Sequence, residues 1–518
     1  AYKRLHSAFL APLTTPGLGT LDLGDADGGV KVVKLTDELV DWLNWEDAET
    51  ITWSSANELY RQTLTKALAE PVEKDEEEGE ESDEEEADPN APEAIVVTLE
   101  VERARPDDVL VIDGARLITM SGEEVIENGR IVIEGHRIAA VGAVADVAIP
   151  DGAEVLDAAG LTAIPGLVDA HAHMGYNSMD ILPQRDWQYY ANLAYGVTST
   201  MDPSASTHLV FAQSVMVEAG IMKGPRVYST GFILYGADIP GRAPTKSYED
   251  ALRHVGRMKK QGAFAIKSYM QPKRIQRQWY VKACRELEML NFPEGGGNFE
   301  NNMGMILDGH TGIEHTTPVA PLYDDIQQMW SRTEVGYTPT FLVAYGGISG
   351  ENWFYQNEPP IWDDPKLTRF TPKAVVESRS RRLSVHAYEG DWNHMTVAES
   401  ATEMLRKGVM VNLGAHGQRQ GLGCHWDLWA LSHGGATNHE VLRMGTINPA
   451  RYIGLGNQLG SLEAGKLADI VLLGANPLDD IRNTNTVKIT VKNGEVFDAE
   501  TMDQTWPTEV ERLPFVWE

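Results

Sequence analysis

Cysteine is nearly absent. Cys284 and Cys424 are the only two in 518 residues, which excludes a disulfide framework and leaves the redox compartment open. No window approaches the eighteen or so consecutive apolar residues that a membrane-spanning helix needs. The opening Ala1-Tyr-Lys-Arg-Leu-His6 is not followed by an apolar stretch long enough for a secretory signal. The chain starts without methionine, so a processed or truncated product is expected. Positive charge is also scarce. Lys plus Arg number 44 against 76 Asp plus Glu, a formal net of -32, and such a surface repels phosphate backbones and anionic membranes, so neither nucleic acid nor membrane is an expected partner.

What is present is globular: 42% hydrophobic residues, 23% charged and 13 tryptophans. The length allows several domains, one of which can be a (β/α)8 barrel taking over half the chain. Residues 1–70 read as short strands between Gly/Asp turns: Gly19–Gly24, Val30–Leu35, Thr50–Trp53 and Glu58–Arg61. That spacing suggests the last blade or blades of a β-propeller, with a small all-β cap as the alternative. A blade cannot stand alone, so a second polypeptide completing the propeller, or a homo-oligomer, is expected. Residues 71–93 form an acidic linker: Glu73 to Asp88 holds twelve acidic residues against one lysine, and such a run repels itself and buries little.

From Asp108 the texture changes to apolar strands with tight turns, at Val109–Ile112, Ala115–Thr119, Gly129–Glu134 and Arg137–Gly142. It returns at Asp469–Leu473 and Lys488–Gly494. Between these flanks strand-like and helical stretches alternate as βα units do. The expected architecture is α/β: a small β-sandwich from residues 94–165 and 457–500, a metal-dependent TIM barrel over 166–456 inserted in it, and a C-terminal tail at 501–518.

Leu167-Val-Asp-Ala ends in His171-Ala-His173. Residues i and i+2 of a strand share a face, so both imidazoles project together, a divalent-metal geometry. Lys267 closes the apolar strand Ala263–Lys267; a buried lysine must be paired, neutral or modified, and a neutral one can add carbon dioxide to become an anionic carbamate ligand. Gly312-Ile-Glu-His315 and Val411-Asn-Leu-Gly-Ala-His416 supply further strand-end histidines, and Glu294 ends another apolar run as a candidate ligand or base. All fall at the C-terminal ends of successive strands, where barrel enzymes build their sites. His310, His394 and His425 rank lower as ligands. Cys424 reads as a packed thiol rather than a nucleophile, and Gly295-Gly-Gly297 as a turn rather than a phosphate loop. Trp353-Phe-Tyr355 and Trp426–Trp429 read either as pocket lining or as core.

At these residues the chain resembles the amidohydrolase superfamily, specifically imidazolonepropionase-like members with a TolB-like propeller before the barrel. The resemblance rests on Ile164-Pro-Gly-Leu-Val-Asp-Ala-His-Ala-His173, Ala265-Ile-Lys-Ser-Tyr269, Asp308–His315, Gly414-Ala-His-Gly417 and Gly460-Ser-Leu-Glu-Ala-Gly-Lys-Leu-Ala-Asp469, and covers about residues 100 to 500. It implies His171 and His173 as first-strand ligands, Lys267 as a carbamylated lysine bridging two divalent ions and His315 as the sixth-strand ligand. Zinc is the first choice of metal, with manganese, iron, cobalt or nickel as alternatives. It also implies a periplasmic or secreted setting, and hydrolysis of an amide or cyclic amide in a small molecule or short peptide. Ester or phosphoester hydrolysis, decarboxylation, isomerisation, or an inactive binding protein are the alternatives. The family pattern is broken twice: Glu294 stands where a fifth-strand histidine is usual, and His416 where an aspartate is usual after the eighth strand. The general base is therefore open. It is His416, or else Glu294 or Asp202 with His416 as a metal ligand.

Overall fold

The computed structural model describes residues 1–12, 32–36, 39–69, 89–176, 181–237, 242–383 and 385–518, and the counts below refer to these. The fold is mixed α/β. Its parallel strands follow one another in sequence order: Leu167–Asp169 pairs with Val197–Asp202, which pairs with Arg226–Ser229. The same chain segment resumes at Leu234–Tyr235, which pairs with Ala265–Tyr269, and that strand pairs with Leu290–Pro293. Parallel bridges join Glu294 to Glu314 and Tyr337 to Val411, on either side of the paired strands Gly312–Glu314 and Gly336–Thr338. The N–H of Ala170 donates to Leu413 O at 2.9 Å, which returns the circuit to the first strand.

Helices connect these strands, and their sequences show why. Over Tyr248–Lys260 the buried Ala251, Val255 and Met258 fall on one face, the Ser247 side chain caps the start by accepting from Asp250 N, and acids open the helix while Arg257, Lys259 and Lys260 close it.

The two flanking segments meet in one nine-stranded sheet rather than in two facing layers. Its order is Arg137–Ala143, Val125–Glu134, Val109–Ile118, Thr162–Pro165, Ile470–Leu473, Val487–Lys492, Glu495–Asp498 and Gln504–Trp506, with Glu154–Asp157 paired beside Val109–Ile118. Ile470–Leu473 joins this sheet to the parallel strands. Ile470 and Leu472 pack with the sheet's own core, whereas Val471 and Leu473 pack into the large core under the helices, as the two-residue period of a strand requires.

Residues 1–12 and 32–36 contribute a three-stranded antiparallel sheet, and a separate four-stranded antiparallel sheet runs Asp41–Trp45, Thr50–Ser55, Glu58–Thr63, Glu93–Val96. Two expected boundaries move. The line drawn at residue 94 cuts through the strand Glu93–Val96, whose backbone pairs antiparallel with Glu58–Thr63 across the acidic run. The segment 501–518 is not a tail, because Gln504–Trp506 adds an edge strand to the nine-stranded sheet. The expected strand Gly19–Gly24, the first two residues of Val30–Leu35 and the whole acidic run from Glu73 to Asp88 lie outside the described residues.

Candidate metal centre

His171, His173 and His416 converge, each offering a nitrogen, and these atoms lie within 4.8 Å of one another. The backbone places them: His416 N donates to His171 O at 2.8 Å, and Ala172 N to Met201 O at 2.9 Å, so the end of the first strand is held between its two neighbours. Gly414 is needed for this approach, since a Cβ there would sit 2.9 Å from the His171 Cβ and 2.6 Å from Thr338 Cγ2. His416 adopts φ 58° and His315 φ 71°. Left-handed backbone at non-glycine residues costs about 1–2 kcal/mol and tends to gather at functional sites.

Carboxylates orient two of the rings. His173 Nδ1 bonds Asp202 Oδ1 at 3.0 Å, and His171 Nδ1 bonds Glu314 Oε2. With Nδ1–H donating, each Nε2 carries a lone pair. His171 Nε2 is buried and has no hydrogen-bond partner. Burial first, then the Lys267 charge and the neighbouring imidazoles, holds His171 well below its usual range; burial and His173 bring His416 down to about 2. His171 and His416 are thus neutral at physiological pH, the state that ligates metal. An orphaned buried nitrogen within a cluster of imidazoles fits a divalent cation.

Glu314 went unrecognised in the sequence, where it reads only as the residue before His315. Burial raises its carboxyl to about 8 against the opposing pull of Lys267, and Tyr452 Oη donates to its Oε1 at 2.6 Å. Tyr452 reaches it through two glycines, since a Cβ at Gly312 would lie 1.7 Å from the Tyr452 Oη and one at Gly336 2.6 Å from its ring. The two glycines opening short strands were the available signal.

A second group adjoins the histidines. Lys267 Nζ lies 2.6 Å from Glu294 Oε2 as an ion pair without hydrogen-bond angles. The other Glu294 oxygen receives Tyr345 Oη at 2.9 Å and faces His315 Nε2 at 3.2 Å. Burial opposes ionisation of Glu294, but Lys267 and His315 outweigh it and hold the carboxyl well below the usual range. His315 Nδ1 meets Thr340 Oγ1 at 2.8 Å, and its ring centroid is 4.8 Å from that of His171. Gly295 follows Glu294 because a Cβ there would meet Glu314 O at 2.1 Å. All six expected ligands therefore gather in one place, with Glu294 held by Lys267 and His315. Asp202, a candidate base, is instead bound to His173 and to Ser204 N at 2.9 Å.

The lower-ranked residues pack elsewhere. His310 bonds Met305 O, His394 bonds His433, and His425 lies between Thr484 and Tyr195. Cys424 is buried with Sγ 3.4 Å from Asp169 Oδ2, and burial pushes its thiol far up. Phe354 stacks on Trp426 at 5.0 Å inside the large core.

Residues 389–497 match the model of the Amidohydrolase family. That part of the chain is similar to amidohydrolases. The imidazolonepropionase of Thermoplasma acidophilum is 23% identical over 416 residues, covering 73% of this chain and 92% of the relative. A 5-methylthioadenosine/S-adenosylhomocysteine deaminase of Symbiobacterium thermophilum is 23% identical over 408 residues, covering 71% and 85%. Among solved structures, a Xaa-Pro dipeptidase with bound methionine in its active site aligns with a TM-score of 0.57 at 18% identity, over 76% of this chain and 100% of that one.

Proposed function

We propose that this superfamily hydrolase, which acts on carbon–nitrogen bonds, cleaves an amide or cyclic amide in a small molecule or short peptide at a divalent metal held by His171, His173 and His416. The parallel strands and their helices are read as a (β/α)8 barrel with the site at its C-terminal mouth. The observation that carries the reading is the convergence of three imidazoles around the orphaned His171 Nε2. The relatives named for imidazolone and nucleoside chemistry support the bond class, and the Xaa-Pro dipeptidase shares the fold. When bound, such an ion polarises a carbonyl and acidifies water.

The chain's own residues do the rest. Asp202 and Glu314 fix the tautomer and tilt of His173 and His171. Of the three proton acceptors expected, Asp202 is committed to His173 and His416 to the imidazole cluster. Glu294 is left as the proton acceptor, and because Lys267 lowers its affinity for a proton it would pass the proton on to the leaving nitrogen rather than keep it, with Tyr345 fixing one oxygen. Activity should appear against a panel of lactams, dipeptides and aryl amides, vanish on chelation and return with added metal. Chelator-insensitive hydrolysis would refute the reading.

A second reading follows from the burial of Lys267, 2% exposed beside His315. In it the neutral amine attacks carbon dioxide, a nitrogen–carbon bond forms and the proton leaves to solvent. The carbamate, with His315 and Glu294, would hold a second ion, zinc first. Native mass spectrometry separates the readings: one ion with unmodified Lys267 supports the first, and two ions with one added carbon dioxide the second. The four-stranded sheet at Asp41–Val96 is read as a propeller blade.

A further inference from the structure

At the opposite end of the parallel strands lies a cleft of about 230 Å³. Arg226 faces it from the start of its strand, in register with Ser199, whereas Asp202 beside the histidines pairs with Ser229. Three residues of strand separate the two levels, about 10 Å. The cleft is thus distinct from the metal centre.

Its walls carry Arg103, Arg105, Arg137 and Arg226 with His136, against one carboxylate, Glu218. On a chain of net charge -32 that concentration stands apart. The segment bearing two of the arginines is fixed in place. Ala104 N donates to Glu218 O at 2.9 Å, and Ala104 O accepts from Asn493 Nδ2 at 2.9 Å. Gly220, at φ 72°, allows the approach, since a Cβ there would come 2.6 Å from the Ala104 Cβ. Arg103 and Arg105 flank that pinned residue, and both line the cleft.

The positive charge is incompletely answered. Arg226 is spent on Asp469 and on Asn493 Oδ1 at 2.8 Å, and Arg137 gives one N–H to Gly465 O at 2.6 Å. Arg103 comes no nearer to Glu218 than 3.9 Å. Among the described residues Arg105 has no hydrogen bond or ion pair, and Lys492 adds a buried side chain beside Arg226 whose pKa burial, then Arg226, lowers to about 8. Burial first and then all four arginines lower the His136 pKa, an independent sign that they converge on one space.

We propose that this cleft binds a phosphate-type oxyanion, either free phosphate or the phosphate of a small phosphomonoester. A planar carboxylate accepts one guanidinium fork, whereas a phosphate carries about two charges and several acceptor oxygens that forks from different walls can share. The volume admits a phosphate with a small substituent. The partly free forks of Arg103 and Arg105 are the donors the anion takes up.

Titration calorimetry of the full chain with inorganic phosphate, at ionic strength held constant with chloride, tests this. One saturable site per chain is expected, and R103Q/R105Q should weaken it by about tenfold or more, the loss of a charge-assisted hydrogen bond. Glycerol phosphate competing for the same site would identify a phosphomonoester pocket, and failure to compete a site for free phosphate. Both arginines are exposed, so the variant should keep the wild-type circular dichroism, and R105Q alone serves if it does not. Absence of saturable heat would overturn the proposal. So would wild-type affinity in the variant, which would put the phosphate at the histidines instead.

Discussion

Glu314 is the residue on which the histidine cluster turns. It bonds His171 Nδ1, it is wholly buried, and its only other oxygen is held by Tyr452. Glu314→Gln should therefore weaken metal binding about 10- to 100-fold, as loss of a partner behind a ligating histidine does, read by competition with a chromophoric chelator. Tyr452→Phe leaves Glu314 in place and removes one hydrogen bond, so its cost should appear mainly as about 1–3 kcal/mol of stability in urea unfolding. Equal loss of metal in both variants would show that Glu314 acts only through packing. The residues that converge were legible in the sequence because their chemistry is rare at strand ends: His171, His173, Lys267, Glu294, His315 and His416 lie together. Their supports were not legible. Glu314, Tyr345, Thr340 and Tyr452 act through distances set by folding, and a tyrosine on a late helix gives no local sign that two distant glycines admit its ring.

At the scale of elements, Gly414, two residues before His416, shows how tightly strand ends are packed. Gly414→Ala would drive a methyl against His171 and Thr338, so metal content should fall while far-UV circular dichroism stays near wild type. Retention of full metal would mean that the strand end yields. The helix Asn438–Gly445 tests local stability away from the site. Thr437 caps it by accepting from Glu440 N at 3.2 Å, and Glu440 reciprocates at Thr437 N at 2.7 Å, so Thr437→Ala should cost about 1 kcal/mol in urea unfolding.

Glu440 also pairs with Arg406, and that pair, with the cap, lowers its carboxyl from its ordinary 4.5 to about 2. A depressed folded pKa contributes stability that is present above pH 4.5 and lost as pH falls toward 2. Wild type should thus exceed Glu440→Gln in stability at neutral pH and converge on it through that window; a constant difference would contradict the assignment. The strands from Val109 onward were readable from apolar runs and turns. The strand Glu93–Val96 was misassigned because pairing across an acidic insertion leaves no local mark, and Gln504–Trp506 because a short edge strand resembles a tail.

On the scale of the whole molecule, Ile470–Leu473 puts alternate side chains into two cores, and Arg226 to Asp469 ties the same junction. The nine-stranded sheet and the parallel strands should accordingly unfold in one calorimetric transition, and Val471→Ala, at about 1.5–3 kcal/mol for two lost buried methyl groups and the cavity they leave, should shift that single transition without splitting it. Two separate peaks would show independent units. The central claim is that His171, His173 and His416 hold a divalent metal on which hydrolysis depends. Elemental analysis of the purified chain beside His171→Ala/His173→Ala/His416→Ala tests it most directly: the wild type should carry at least one divalent ion per chain and the triple variant should lose it. Equal metal in both proteins, or a metal-free wild type that still hydrolyses its substrate, would contradict it.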